Sequence, residues 1–170
     1  SNAVDAAHAH SESFSFMVPG KFNNSATYKV YYLGKNGSGN QVTIPAAQAQ
    51  TEPNSTKHLG ELGDYGSAIA SGTVGGGSFR FQLEHQATIL VFQPYTNNDI
   101  LKNCYLVGVE VSSDDDITET YTIDPITGNL NGSAGGKQIL LMTIDPVAGS
   151  TNEKGFPLTN ASASIATNGA

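Results

Sequence analysis

The stretch from Phe79 to Phe92 constrains the fold more than any other part of the chain. Phe79, Phe81, Leu83, His85, Ala87, Ile89 and Val91 alternate with Arg80, Gln82, Glu84, Gln86, Thr88, Leu90 and Phe92. Successive side chains of a strand point to opposite faces, so the first set shares one face and burying it fixes the register. A helix would scatter the same phenylalanines around its circumference. One long strand, buried along the Phe79-to-Val91 face, is expected here.

Shorter apolar runs divided by Gly, Pro, Asn and Asp clusters continue the pattern on both sides. Tyr28 to Leu33, the loop Gly34 to Asn40, and Gln41 to Ile44 read as a hairpin. Tyr105, Val107, Val109 and Val111 alternate with Leu106, Gly108 and Glu110 as one strand. Ile117, Tyr121 and Ile123 lead into the turn Asp124 to Asn129, where Pro125 presets φ and Gly128 accepts the left-handed conformation. Lys137 to Ile144 is a near-continuous apolar run, expected as a central strand buried on both faces. With Ser13 to Val18 this makes about eight strands, which two packed sheets accommodate. Ala46 to Thr51 is the one place where a turn or two of helix is expected.

The 170 residues, 38% of them hydrophobic, fit one domain with a real core. Only 14% are charged, and Ser, Thr, Asn and Gly solvate the surface instead. Eight basic against 15 acidic side chains, and a single arginine at position 80, argue against nucleic acid, whose phosphates need clustered Lys and Arg. No stretch approaches the roughly 18 apolar residues of a membrane-spanning helix. Residues 1–3 read as the remnant of a removed tag, residues 4–12 as a flexible leader, residues 13–150 as the β-sandwich, and residues 151–170 as a last strand, a polar tail or both.

No constellation of catalytic, cofactor-binding or metal-ligating residues emerges, so a non-enzymatic protein without a cofactor is expected. His8 and His10 sit in the leader, short of the four convergent ligands of a structural metal site. Glu84 and His85 point to opposite faces of their strand, and His85 is expected in the core or at its seam; His58 is expected to be exposed. Ser113, Asp114, Asp115, Asp116 and Glu119 form the one acidic cluster, but without the regular spacing of a calcium loop they read as a solvated turn. The loops at Gly34 to Asn40 and Gly75 to Gly77 lack the lysine and helix terminus of a phosphate cradle. Cys104 reads as a small buried residue rather than a nucleophile. Asn23, Asn54, Asn131 and Asn160 open Asn-x-Ser/Thr triplets that a chain rich in these residues produces by chance.

The order of these features resembles the fimbrillin-like (Mfa-like) proteins of Bacteroidetes. The resemblance is carried by Phe14-Ser15-Phe16, by the segment from Phe79 to Phe92, by the strand with Val107, Val109 and Val111, and by Tyr121-Thr122-Ile123-Asp124-Pro125-Ile126-Thr127-Gly128-Asn129-Leu130. It covers roughly residues 13 to 145 and corresponds to the family's N-terminal domain. It implies an all-β, Greek-key, transthyretin-like β-sandwich of about seven to eight strands in two antiparallel sheets. It also implies export as a lipoprotein precursor with a lipid anchor, a place on the outer membrane or in a fimbrium (pilus), and assembly with other fimbrial subunits by β-strand exchange. Family members are processed after an arginine. Arg80 falls inside the strongest expected strand, so either another protease acts, at Lys21 or Lys29, or this subunit is not processed in that way.

Two functions follow as expectations. The first is a structural or accessory subunit of a bacterial surface fimbria that contributes to cell adhesion. The alternative is a surface module that binds a carbohydrate or host protein, with Tyr31, Tyr32, Tyr65 and Tyr95 near loops where rings stack on sugars.

Overall fold

A computed structural model describes residues 13–20, 22, 27–73, 77–132, 134–158 and, as backbone, 165–169. The expectations for residues 1–12, Lys21, Asn23 and Asn160 lie outside the described residues. The protein is all-β, a sandwich-like packing of several mostly antiparallel sheets. Among the described residues there is no α-helix, only the 3-10 turns Leu59–Glu61 and Leu101–Asn103.

The strands are β1 (Thr27–Tyr32), β2 (Gly37–Ser38), β3 (Gln41–Ile44), β4 (Ala47–Ala49), β5 (Gly66–Thr73), β6 (Ser78–Arg80), β7 (Glu84–His85), β8 (Thr88–Phe92), β9 (Tyr105–Leu106), β10 (Gly108–Ser112), β11 (Glu119–Ile123), β12 (Leu130–Asn131), β13 (Gln138–Met142), β14 (Phe156–Pro157) and β15 (Ile165–Gly169). One sheet places β5 between β1 and β6, with β7 also on β5; a second runs β12-β11-β3-β2; a third runs β10-β13-β4. Two further ladders join β14 to β9 and β15 to β8. All pairings are antiparallel except that of β4 with β13.

The main core is built by alternation. Val42 and Ile44 of β3 and Tyr121 and Ile123 of β11 point inward, while Thr43 and Thr120 meet on the outer face through a 2.7 Å hydroxyl hydrogen bond. Ile139 of β13, Ile117 and Tyr65 complete the cluster, with Tyr31, Leu33, Val111 and Leu130 packed around it. Leu141, two residues along β13, enters a second cluster with Phe156, flanked by Phe92, Leu106 and Val109. One face of the β10–β13 pair therefore serves both clusters, as a period of two requires.

Several expectations are corrected. The segment Phe79 to Phe92 is not one strand. Its register against β5 is the same at Arg80–Ser71 and at Glu84–Ser67, and continues to a hydrogen bond from Gln86 N to Tyr65 O, but Phe81 to Leu83 between them are not strand. After Ala87 the chain leaves β5, and β8 pairs with β15. The expected buried face is accordingly broken: Phe81, Leu83 and Val91 are exposed, and Phe92 from the opposite set packs inward. A strand departing to a new partner twists its side chains out of the old alternation.

Tyr28 to Leu33 and Gln41 to Ile44 are not a hairpin, because β1 pairs with β5, and β3 with β2 and β11. Ser13 to Val18 is not a strand, and Phe14, Phe16, Met17 and Val18 are exposed. Residues 46 to 51 hold strand β4 instead of a helical turn. The strand expected from Tyr105 to Val111 breaks at Val107 into β9 and β10. Central β13 is buried on one face only, with Leu141 at 0% and Leu140 at 45% exposure. The turn after Ile123 forms as read: Gly128 has φ +82°, and Asp124 N donates to Asn129 O at 2.8 Å.

Candidate functional site

Two places stand out: the ladder of β8 with β15, and a cleft lined in part by β4. In the first, Ile165 pairs with Phe92 and the register runs for five residues to Gly169 opposite Thr88. No other strand pairs with β8 among the described residues. The backbone hydrogen bonds of β8 within a sheet thus depend on one segment separated from the second core by residues 159–164.

The cleft has a volume of about 510 Å³ and is open to solvent. It is lined by Pro45, Ala47, Gln48 and Ala49 in and before β4, by Asn36, by His58, Glu61 and Leu62 in and around the first 3-10 turn, and by Met142 of β13. The walls are set by local structure. Gln48 lies between two exposed alanines and turns its side chain inward, donating from Nε2 to Pro45 O at 3.2 Å. Gln50, also buried, donates to Glu52 O at 2.9 Å and Ser55 O at 3.1 Å, which folds the chain into the loop leading to the 3-10 turn. Glu61 accepts from Lys35 Nζ, and that hydrogen bond and the lysine charge hold its carboxyl below the usual range. Asn36 Nδ2 donates to Glu61 O.

The residues singled out in the sequence are scattered. His58 is half-buried in the cleft wall rather than exposed. His85 is hydrogen-bonded but not in the core: its ring is exposed and Nδ1 lies 2.7 Å from Asp64 Oδ1. Cys104 is exposed, a correction to the buried position expected for it, because the 3-10 turn before β9 leaves it on the surface. In the acidic cluster, Asp116 Oδ2 accepts from Gly135 N at 3.1 Å and Glu119 Oε2 from Ala134 N at 3.4 Å, so both carboxylates brace the loop before β13. Among the described residues no three His, Cys, Asp or Glu side chains gather as a metal site.

The four tyrosines do not form one platform. Tyr65 is fully buried, and burial, with Tyr31 nearby, raises its phenol above the ordinary value. Tyr31 stacks on it at 6.4 Å and donates to Pro125 O at 3.3 Å. Tyr32 and Tyr95 are exposed, the latter at 72%. A different aromatic group, which the alternation did not single out, joins Phe22, Tyr28 and Phe79 with ring centroids 5.1 to 5.6 Å apart. Arg80, the last residue of β6, is exposed and half-buried Phe79 beside it points the other way, as the alternation places them.

Comparison with known proteins returns no match to a family model, to a curated protein or to a solved structure. No helix among the described residues is long and apolar enough to cross a membrane.

Proposed function

We propose that the chain is a non-catalytic structural or accessory subunit of a bacterial surface fimbria, exported to the outer membrane and joined to its neighbours by β-strand exchange. The observation that carries this reading is the β8–β15 ladder. A strand whose one partner among the described residues is the five-residue β15 is suited to exchange, since a strand from another subunit offers the same backbone donors and acceptors. The resemblance of Phe79 to Phe92 and Tyr121 to Leu130 to fimbrillin-like proteins supplies the biological setting, including the Greek-key sandwich, the lipid-anchored precursor and a part in adhesion. The carbohydrate-binding alternative is weakened by Tyr31 and Tyr65, which pack inside the fold.

The test compares cell-envelope extracts in SDS with and without boiling, by immunoblot. Strand-exchanged assemblies open slowly because many backbone hydrogen bonds break together. A ladder of bands that collapses on boiling, and that disappears when the chain is ended at residue 158, is expected. A single monomer band in both lanes would refute exchange.

A further inference from the structure

Three asparagines in the chain precede a glycine: Asn36–Gly37, Asn131–Gly132 and Asn168–Gly169. Such a pair carries its own nucleophile, because glycine has no Cβ to hold its amide nitrogen away from the asparagine carboxamide. The structure treats the three differently. Asn36 Nδ2 donates to Glu61 O, which ties that carboxamide to the 3-10 turn Leu59–Glu61. Asn168 and Gly169 lie inside the β15–β8 ladder, opposite Ile89 and Thr88. Asn131 is exposed at the end of the two-residue β12, the end strand of its sheet among the described residues. Ile123 N donates to Asn40 O on the β3 side of β11, so by antiparallel alternation the main-chain groups of Thr122 face Asn131. The same alternation turns Gly132 N away from β11. Neither Gly132 N nor the Asn131 carboxamide makes a hydrogen bond among the described residues. Packing also favours glycine at 132, since a Cβ there would run into the Glu119 carboxylate and lie 2.8 Å from Tyr121 Cδ1.

We propose that Asn131–Gly132 is a site of spontaneous main-chain modification in the folded protein, and that the fold protects the other two pairs. Gly132 N attacks Asn131 Cγ; the N–Cγ bond forms, the Cγ–Nδ2 bond breaks, and ammonia leaves with the amide proton. Water then opens the five-membered succinimide at either carbonyl, giving aspartate or isoaspartate. Attack requires the peptide link after residue 131 to turn out of the extended conformation, and that link lies beyond the last pairing of β12. Isoaspartate routes the main chain through the former side chain and lengthens it by one methylene between Cα of residue 131 and Gly132 N. The pairing with Thr122 is then lost, and Leu130 with Ile123 is all that remains of the β12–β11 ladder. This site is separate from the β8–β15 ladder and stands whether or not the chain forms fibres.

The experiment holds the full chain in warm, mildly alkaline buffer, samples it over days and digests each sample with trypsin, which puts the three pairs on separate peptides. Mass spectrometry reads the replacement of NH2 by OH at each asparagine against the starting sample, and fragmentation separates isoaspartate from aspartate. In the folded chain Asn131 should convert several-fold faster than Asn36 and Asn168, and in urea the three rates should converge. Asn131→Gln, which would have to close a larger ring, should lose the conversion at that position with an unchanged urea midpoint. The isoaspartate fraction of the unaltered chain should show faster amide exchange at Thr122. An unreacted Asn131, or equal rates at the three pairs in the folded chain, would overturn the proposal. So would the same excess at Asn131 in urea, which would trace the reactivity to neighbouring sequence and not to the fold.

Discussion

The Tyr65 hydroxyl donates a 2.9 Å hydrogen bond to the carbonyl oxygen of Gly128, 63 residues further along the chain. Both residues are buried, so the bond ties the approach to β5 to the turn between β11 and β12 inside the main core. Tyr31 and Lys29 reinforce it from β1, both donating to Pro125 O of that turn.

Replacing Tyr65 by Phe keeps the ring and strands the Gly128 carbonyl. The expected loss is about 1–2 kcal/mol, read from the urea midpoint at constant slope. An unchanged midpoint would mean that water reaches Gly128 and that the bond contributes nothing to the fold.

Alkaline pH should destabilise the protein through its buried phenols. Burial raises Tyr65 above the ordinary 10.0, with Tyr31 adding; burial raises Tyr121 likewise, with Glu119 and Asp116 adding. The unfolded chain then releases these protons first. Their stabilising contribution is complete below about pH 10 and falls away as pH rises through the folded values. Spectrophotometric titration should show two of the seven tyrosines lagging in the native state, and Tyr65→Phe should leave one.

Acid acts with the opposite sign at Asp124. Its carboxylate accepts from Thr127 N at 2.9 Å and Ile126 N at 2.7 Å, which holds its pKa below the ordinary 3.8. This contribution is present above that value and is lost as pH falls through the folded one. Asp124→Asn should flatten that part of the acid denaturation profile; an identical profile would show that the turn does not discriminate the charged form.

The alternation of β13 separates two adjacent leucines. Leu141→Ala removes a fully buried side chain from the second core and should cost about 2–5 kcal/mol, whereas Leu140→Ala, on the exposed face, should cost under about 1 kcal/mol. Denaturant unfolding of the two variants checks the pair, and equal losses would contradict the assigned face.

Cys104 should react stoichiometrically with a maleimide in the native protein, because it is exposed at the end of its 3-10 turn. Mass spectrometry before and after addition of denaturant reads the difference; labelling only after denaturation would place the thiol inside.

Much of the sandwich was legible because a period of two needs no partner to be recognised. Val42 and Ile44, Tyr121 and Ile123, and the turn closed by Gly128 all follow from local patterning. Strand β5 was missed. Its sequence, GSAIASGT, offers no large alternating side chains, yet β1, β6 and β7 all pair with it. Its small residues permit close approach: a Cβ on Gly72 would lie 2.3 Å from Ser78 O. The cleft was equally hidden, since β4 lies in a stretch that reads as a helical turn and the lining also draws on Asn36 and the 3-10 turn, distant in sequence.

The sequence by itself determined the class of structure, the strand character of most apolar runs and the turn chemistry at Asp124 to Asn129, because these rest on side-chain periodicity and local backbone preference. Tertiary structure alone decided which strand meets which, that Phe79 to Phe92 divides between β5 and β15, and that β4 is the last described strand of its sheet. Apart from proline, which has no N–H, every residue carries the same main-chain donor and acceptor. Partner choice therefore comes from how distant faces pack, and no short window of sequence contains that information.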